Sequence, residues 1–296
     1  MSVTLLVQEG PSHYTHHDQL FKQLIHTFFA EFLELFFPKV YQHIDFTTIK
    51  PLSEEMFTDL IEGESKRADI VIEANLKEYE TLIIIHVEPQ SYSQPDFNER
   101  MYHYFSLLYN KYRKPILPIA IFSYDVNRFE SNQFMITFPF FHVLSFQFLM
   151  IELRKMNWRN YIHSNNPIAA ALISKMGYTE KEKVQVKKEF LRMLVKMDIN
   201  QAKAELINGF FETYLTLNER EEEKLMEEIK QLDSQEAEQI LQLPNSWKEK
   251  GMQEGSQKEK RKIALEMIKE DLPTNLIVRI TKLDCDEIDD IRRKSL

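Results

Sequence analysis

The chain has 296 residues, 43% of them hydrophobic and 28% charged, ordinary values for a globular protein that buries a sizeable core in one or two domains. Its net charge of −9 weighs against duplex DNA binding, which draws on cationic groups, but residues 219–238 concentrate the acid while 248–262 are mostly basic. The longest apolar run, 134–150, is broken by Pro139, His142, Ser145 and Gln147, so no membrane span is expected; Glu9-Gly10-Pro11 stand where an export signal needs apolar residues, and the single Cys285 excludes an intramolecular disulfide or a cysteine-rich zinc site, which makes the cytoplasm the expected location.

Residues 16–37 have helical spacing, with Phe21, Leu24, Ile25, Phe28, Phe32 and Leu35 on one face and Pro38 as the stop. Three β-rich segments follow, 44–49, 68–73 and 81–88, and a polar turn with Asn75, Lys77 and Glu78 joins the last two as a hairpin. Residues 95–112 then read as a helix and 116–123 as a strand, giving helix, three strands, helix, strand in an α/β layer arrangement. The aromatic stretch 132–148 is expected to add another strand to the same sheet.

From Asn166-Pro167, a helix-start signal, the pattern turns helical. Helices are expected over 168–176, 179–196, 201–217, 219–232 and 234–243, then a polar helix over 246–271 and two short closing helices over 276–283 and 286–293. The implied division is an α/β domain over 1–160, a helical bundle over 161–245 and a polar C-terminal helix with two closing helices over 246–296.

The segment most informative about chemistry is Asp69-Ile70-Val71-Ile72-Glu73 followed by Ile85-His86-Val87-Glu88-Pro89-Gln90. Alternate residues of a strand share a face, which sets Ile84, His86, Glu88 and Gln90 together. If the preceding strand runs antiparallel, Asp69 falls close to them at the far end of the hairpin. Two carboxylates so placed form a hard-oxygen site suited to Mg²⁺, or to Mn²⁺ or Ca²⁺. Such an ion activates water and neutralises charge on a scissile phosphate. Pro89 withholds a strand hydrogen bond and implies an edge or a bend.

His17-Asp18-Gln19-Leu20-Phe21-Lys22, the strand starting at Asp69 and Glu88-Pro89-Gln90-Ser91 together resemble the recombination-promoting nuclease (Rpn) and putative transposase family of the PD-(D/E)XK nuclease superfamily. Arg100 with Tyr104, the Asn166-to-Leu172 helix start, Gly251-Met252-Gln253-Glu254-Gly255 and the ending 276–288 extend that resemblance over nearly the whole chain. The resemblance implies a restriction-endonuclease-like core, a mixed sheet between helices, followed by a helical C-terminal region. It implies that Asp69 and Glu88 bind the metal and that Gln90 stands where the superfamily usually has a lysine. An amide carries no charge and takes no proton, but it orients a water or a phosphate oxygen. Asp18 and Lys22 would flank the site from the first helix. Arg100 and Tyr104, one turn apart, would meet a phosphate or brace the ligands. His86 is a further candidate to assist, from its own place on the strand face of Glu88 and Gln90 rather than from the resemblance.

The same residues have plainer readings. Asp18 and Lys22 make an ordinary i,i+4 ion pair, His86 a structural histidine, Glu31 a solvated carboxylate, and the His13, His16, His17 cluster a terminal coincidence. Basic residues 258–262 read as a solvated helix face or a DNA contact, while the closing helices carry Asp284, Asp286, Glu287, Asp289 and Asp290 and suit partner docking better than a duplex. The expectation is a metal-dependent DNA endonuclease in recombination or phage defence, acting on DNA as a homodimer because paired cuts need two sites. The alternative is a catalytically inactive nuclease fold serving as an interaction or assembly protein. Transposition rests only on the family's label.

Overall fold

The apolar periodicity of the N-terminal segment produces two nearly continuous helices, α1 (Pro11–Thr27) and α2 (Phe29–Phe36), with a bend at Phe28, where φ is −125° and ψ 41°. The i to i−4 hydrogen bonds run through the bend, Phe28 N to Leu24 O and Phe32 N to Phe28 O. Phe21, Leu24, Ile25, Phe28 and Phe32 are fully buried, as their spacing predicts, whereas Leu35, placed on the same face, is half-buried. Pro38 excludes the helical region at Phe37 and then opens a four-residue helix, α3 (Pro38–Tyr41), as its first residue.

A computed structural model describes residues 11–52, 70–76, 79–88, 96–123, 131–243, 260–270 and 272–295, with backbone alone at 11–18, 79, 80, 82, 84–88, 285, 286, 294 and 295. The protein is a mixed α/β chain with two units, Met1–Glu236 and Ala237–Leu296. No described helix is long and apolar enough to cross a membrane.

In the first unit β1 (Ile44–Pro51), β2 (Ile70–Leu76) and β3 (Tyr79–Glu88) form an antiparallel meander. The β2–β3 hairpin is tighter than its composition suggests. Asn75 lies within β2, paired with Glu80, and Leu76 pairs with Tyr79. Asn75 escapes the turn because its N–H donates to Thr48 Oγ1 across β1, at the irregularity between Asp45 and Lys50. After β3 comes α4 (Phe97–Tyr112), closed by Arg113 at φ 53°, and then β4 (Ile116–Phe122) returns parallel to β3. The parallel crossover through a helix is the ordinary way to join such strands. Residues 70–72 and 118–122 are buried without alternation, so β2 and β4 are covered on both faces. Helix α4 packs on β4 and reaches β2 through Tyr104 and Leu108 against Val71, whereas α1 packs against β3.

The aromatic stretch does not join this sheet. β5 (Gln133–Phe138) and β6 (Phe141–Gln147) make a separate two-stranded hairpin, and the free edge of β4 is taken by β7 (Leu149–Glu152), completing the order β1-β2-β3-β4-β7. Its aromatics draw the hairpin onto α4 instead: Phe134 stacks on Tyr102 at 5.4 Å, and Phe146 meets Phe105 at 5.1 Å.

The same unit contains α5 (Pro167–Leu172), α6 (Lys183–Lys196), α7 (Gln201–Tyr214) and α8 (Glu219–Lys230). All six residues of α5 are buried, and Phe190 of α6 stacks on Phe211 of α7 at 3.8 Å. Phe21 of α1 meets Phe210 edge-on at 4.9 Å, tying α1 to this helical layer. Helix α9 (Ser234–Gln242) follows. In the second unit, helical residues 260–269 pack with α10 (Thr274–Thr281) and α11 (Cys285–Ser295) around Ala264, Ile277, Leu283 and Ile288.

Candidate functional site

Strand β3 supplies the backbone frame for the carboxylate expected to matter most. Glu88 is its last residue and pairs with Phe122, the last residue of β4. Because β3 and β4 are parallel, their C-terminal ends lie side by side, the usual location of ligand sites in sheets of this kind. His86 is two residues earlier, paired with Ala120. Antiparallel β2 begins at this same end: Ile70 pairs with Ile85. Asp69 and Gln90 lie outside the described residues, as does Pro89.

Helix α4 spans this end of the sheet. Phe97 in its first turn meets the Phe122 ring at 4.7 Å, and both belong to a cluster with Met101, Ala120, Phe146 and Phe148. Tyr104, two turns on, is 6% exposed and packs on Val71. Arg100 lies between them, half-buried, its guanidinium 5.5 Å from the Phe97 ring centroid. The helix thus holds Arg100 between an aromatic that touches Glu88's strand partner and a tyrosine that touches the second residue of β2. Asp18 and Lys22 both lie on α1, which packs against β3, and the Lys22 side chain is half-buried.

At the opposite end of the hairpin the charges are paired with each other. Glu73 of β2 holds Lys114 at 3.1 Å. The Tyr112 hydroxyl has a raised pKa, chiefly from burial, then from the Glu73 carboxylate, with Lys114 opposing. Glu73, part of the strand the sequence singles out, is therefore engaged away from the Glu88 end. Phe97 and Phe122 escaped the sequence reading; an aromatic closing β4 and another opening the helix that precedes it were the visible signal.

Glu31 does not join this end. It lines a cleft of about 570 Å³ with Phe28, Glu34, Asn166 and Lys203, and its carbonyl accepts a 2.8 Å hydrogen bond from Asn166 Nδ2. Among the described residues no group of three or more histidine, cysteine, aspartate or glutamate side chains is arranged to hold a metal ion. His13, His16 and His17 are described in backbone alone, as part of α1. No family model, no curated protein and no solved structure matches the chain.

Proposed function

We propose that the protein is a divalent-metal-dependent DNA endonuclease that hydrolyses phosphodiester bonds, with a PD-(D/E)XK restriction-endonuclease-like core. The supporting observation is topological. Helix, antiparallel three-strand meander, helix and a fourth strand parallel to the third follow one another, and Glu88 ends that third strand beside Phe122. Asp69 is joined directly to Ile70, whose strand partner Ile85 is three residues before Glu88, an interval of about 10 Å along a strand.

The donor set fits a hard cation: two carboxylates, Asp69 and Glu88, would hold Mg²⁺, Mn²⁺ or Ca²⁺, and the ion would supply Lewis-acid stabilisation of the phosphate and a more acidic water. The chain's own residues would do the positioning. The Gln90 amide would donate to a phosphate oxygen or accept from the attacking water. Arg100, set between Phe97 and Tyr104 on a rigid helix, would bind a phosphate oxygen with its forked donors. Lys22 and Asp18 would approach from α1, and His86 from β3. The resemblance to the recombination-promoting nucleases points the same way, toward recombination or phage defence.

The test is a plasmid-nicking assay in Mg²⁺ and Mn²⁺ with wild type, Asp69→Ala and Glu88→Ala, each checked for folding by circular dichroism. Folded variants that cut at least a hundredfold more slowly than an active wild type support the reading; variants that cut equally well sink it. A wild type that neither cuts nor binds Mn²⁺ in calorimetry returns the fold to the alternative of an inactive assembly protein.

A further inference from the structure

The β5–β6 hairpin carries an apolar tip that no other described residue covers. Its register pairs Phe134 with Phe146, Ile136 with Leu144 and Phe138 with Phe141. Alternation sets Phe134, Ile136 and Phe138 on one face with Phe146 and Leu144, and the register shift between Ile136 and Thr137 brings Phe141 opposite Phe138; Gln133, Met135 and Ser145 take the other face. Among the described residues only the base of the apolar face is packed, where Phe134 and Phe146 meet Tyr102 and Phe105 of α4. Beyond that base Phe138 is 52% exposed, Phe140 87% and Phe141 62%, with Ile136 and Val143 exposed beside them. The base is fastened, since Asn98 Nδ2 donates to Gln133 O at 3.0 Å and Phe148 N to Asn132 O at 3.1 Å. The tip is therefore presented by an ordered support rather than by a loose loop.

We propose that this tip is a dimerisation surface, in which the hairpins of two copies of the chain pack apolar tip against apolar tip about a two-fold axis. Two observations select a second copy as the occupant. The first is area. With 150–250 Å² available per large aromatic side chain, the exposed tip residues offer on the order of 600 Å² per copy. A pair would bury about 1,200 Å², the lower end of the range for specific, stable interfaces. The second is charge. Residues 131–151 contain no Asp, Glu, Lys or Arg in a chain of net charge −9, so this is where two such copies can meet without opposing or desolvating like charges. An acidic or basic partner would find no complement there. The sequence flanks of the stretch carry both signs, Arg128 and Glu130 before it and Glu152, Arg154 and Lys155 after it, rather than the basic excess that interfacial segments use on a lipid surface. A closed two-fold arrangement also satisfies the patch without leaving a template for further growth.

The experiment is sedimentation equilibrium of the full chain, with flotation on phosphatidylcholine vesicles as a second arm. Wild type sediments as a reversible dimer and stays off the vesicles. Phe140→Asp and Phe138→Asp raise the dimer dissociation constant at least tenfold with unchanged circular dichroism, while Ser145→Asp on the polar face leaves it unaltered. Phe140 is so exposed that its substitution does not threaten folding, and it decides the matter if Phe138→Asp unfolds. A wild type that is monomeric at the highest soluble concentration overturns the proposal. So does a Phe140→Asp variant that dimerises as tightly as wild type, or a monomer that floats with the vesicles.

Discussion

Lys187 of α6 is 1% exposed and directs its ammonium at the Glu212 carboxylate of α7, Nζ to Oε2, at 2.9 Å. The two helices also share the Phe190–Phe211 stack, so the ion pair is embedded in their apolar contact. Losing the carboxylate opposite an enclosed ammonium is costly; the Glu212 side chain is 21% exposed, against 1% for Lys187, although its Oε1 is buried. Glu212→Ala is therefore expected to destabilise the protein by about 3–5 kcal/mol, and Lys187→Met by clearly less. Urea unfolding of both variants checks the order; equal losses would contradict it.

Glu182 accepts hydrogen bonds from the Thr179 N–H and hydroxyl and from Arg159. The Thr179 N–H, then its hydroxyl, then Arg159 hold the carboxyl at a pKa lowered to about 2. A depressed folded-state pKa means the stabilisation is complete above the ordinary value of about 4.5 and is lost as pH falls through about 2. Wild type is expected to melt higher than Glu182→Gln at neutral pH, with the gap closing between those two values. A gap that persists below pH 2 would refute the linkage.

Asn166 does two jobs. Its Oδ1 accepts from the N–H groups of Ile168 and Ala169, capping the fully buried α5, while Nδ2 ties that cap to the Glu31 carbonyl on α2. Asn166→Ala should lower stability by about 1–2 kcal/mol through the cap alone, with more from the lost bridge. Asn166→Ser, which keeps a cap acceptor, should recover part of the loss in chemical denaturation.

Gly177 has no room for a side chain. A Cβ there would stand 2.5 Å from the Arg154 carbonyl oxygen, and the Gly177 N–H is already bonded to Met156 O at 2.9 Å. Gly177→Ala must push two backbone segments apart and is expected to cost about 1–3 kcal/mol. Thermal unfolding that matches wild type would show that the 154–156 segment yields more easily than its bonding implies.

If the nuclease proposal is right, Gln90→Ala slows nicking at least tenfold, and Gln90→Lys, which supplies the superfamily's usual cation, retains metal-dependent cutting. Loss of cutting in both, with folding intact, would mean that this amide makes a contact no ammonium can replace.

The order of elements was legible because it rests on short-range patterns. Phe21, Leu24, Ile25, Phe28 and Phe32 announce a buried helical face, and all five are buried. Asn166-Pro167 announces a capped helix, and Asn166 caps it. The segment that leads to Glu88 reads as a strand from its isoleucines and is one. Other features depend on partners distant in sequence. The hairpin of 132–148 was expected in the main sheet because alternation does not name a strand's neighbour; stacking on Tyr102 and Phe105 took it elsewhere, and β7 closed the β4 edge. A buried lysine such as Lys187 looks like any surface lysine until α7 brings Glu212 to it.

For the candidate site, the sequence by itself determined the residue types and their spacing along the chain: an acid before β2, an acid ending β3 and an arginine–tyrosine pair one turn apart. Tertiary structure decided that β3 and β4 run parallel, that Glu88 ends beside Phe122 and that α4 presents Arg100 between Phe97 and Tyr104. The physical reason is that helical and strand periodicities are local consequences of backbone geometry, while strand neighbours and helix docking are chosen by burial between segments far apart in the chain.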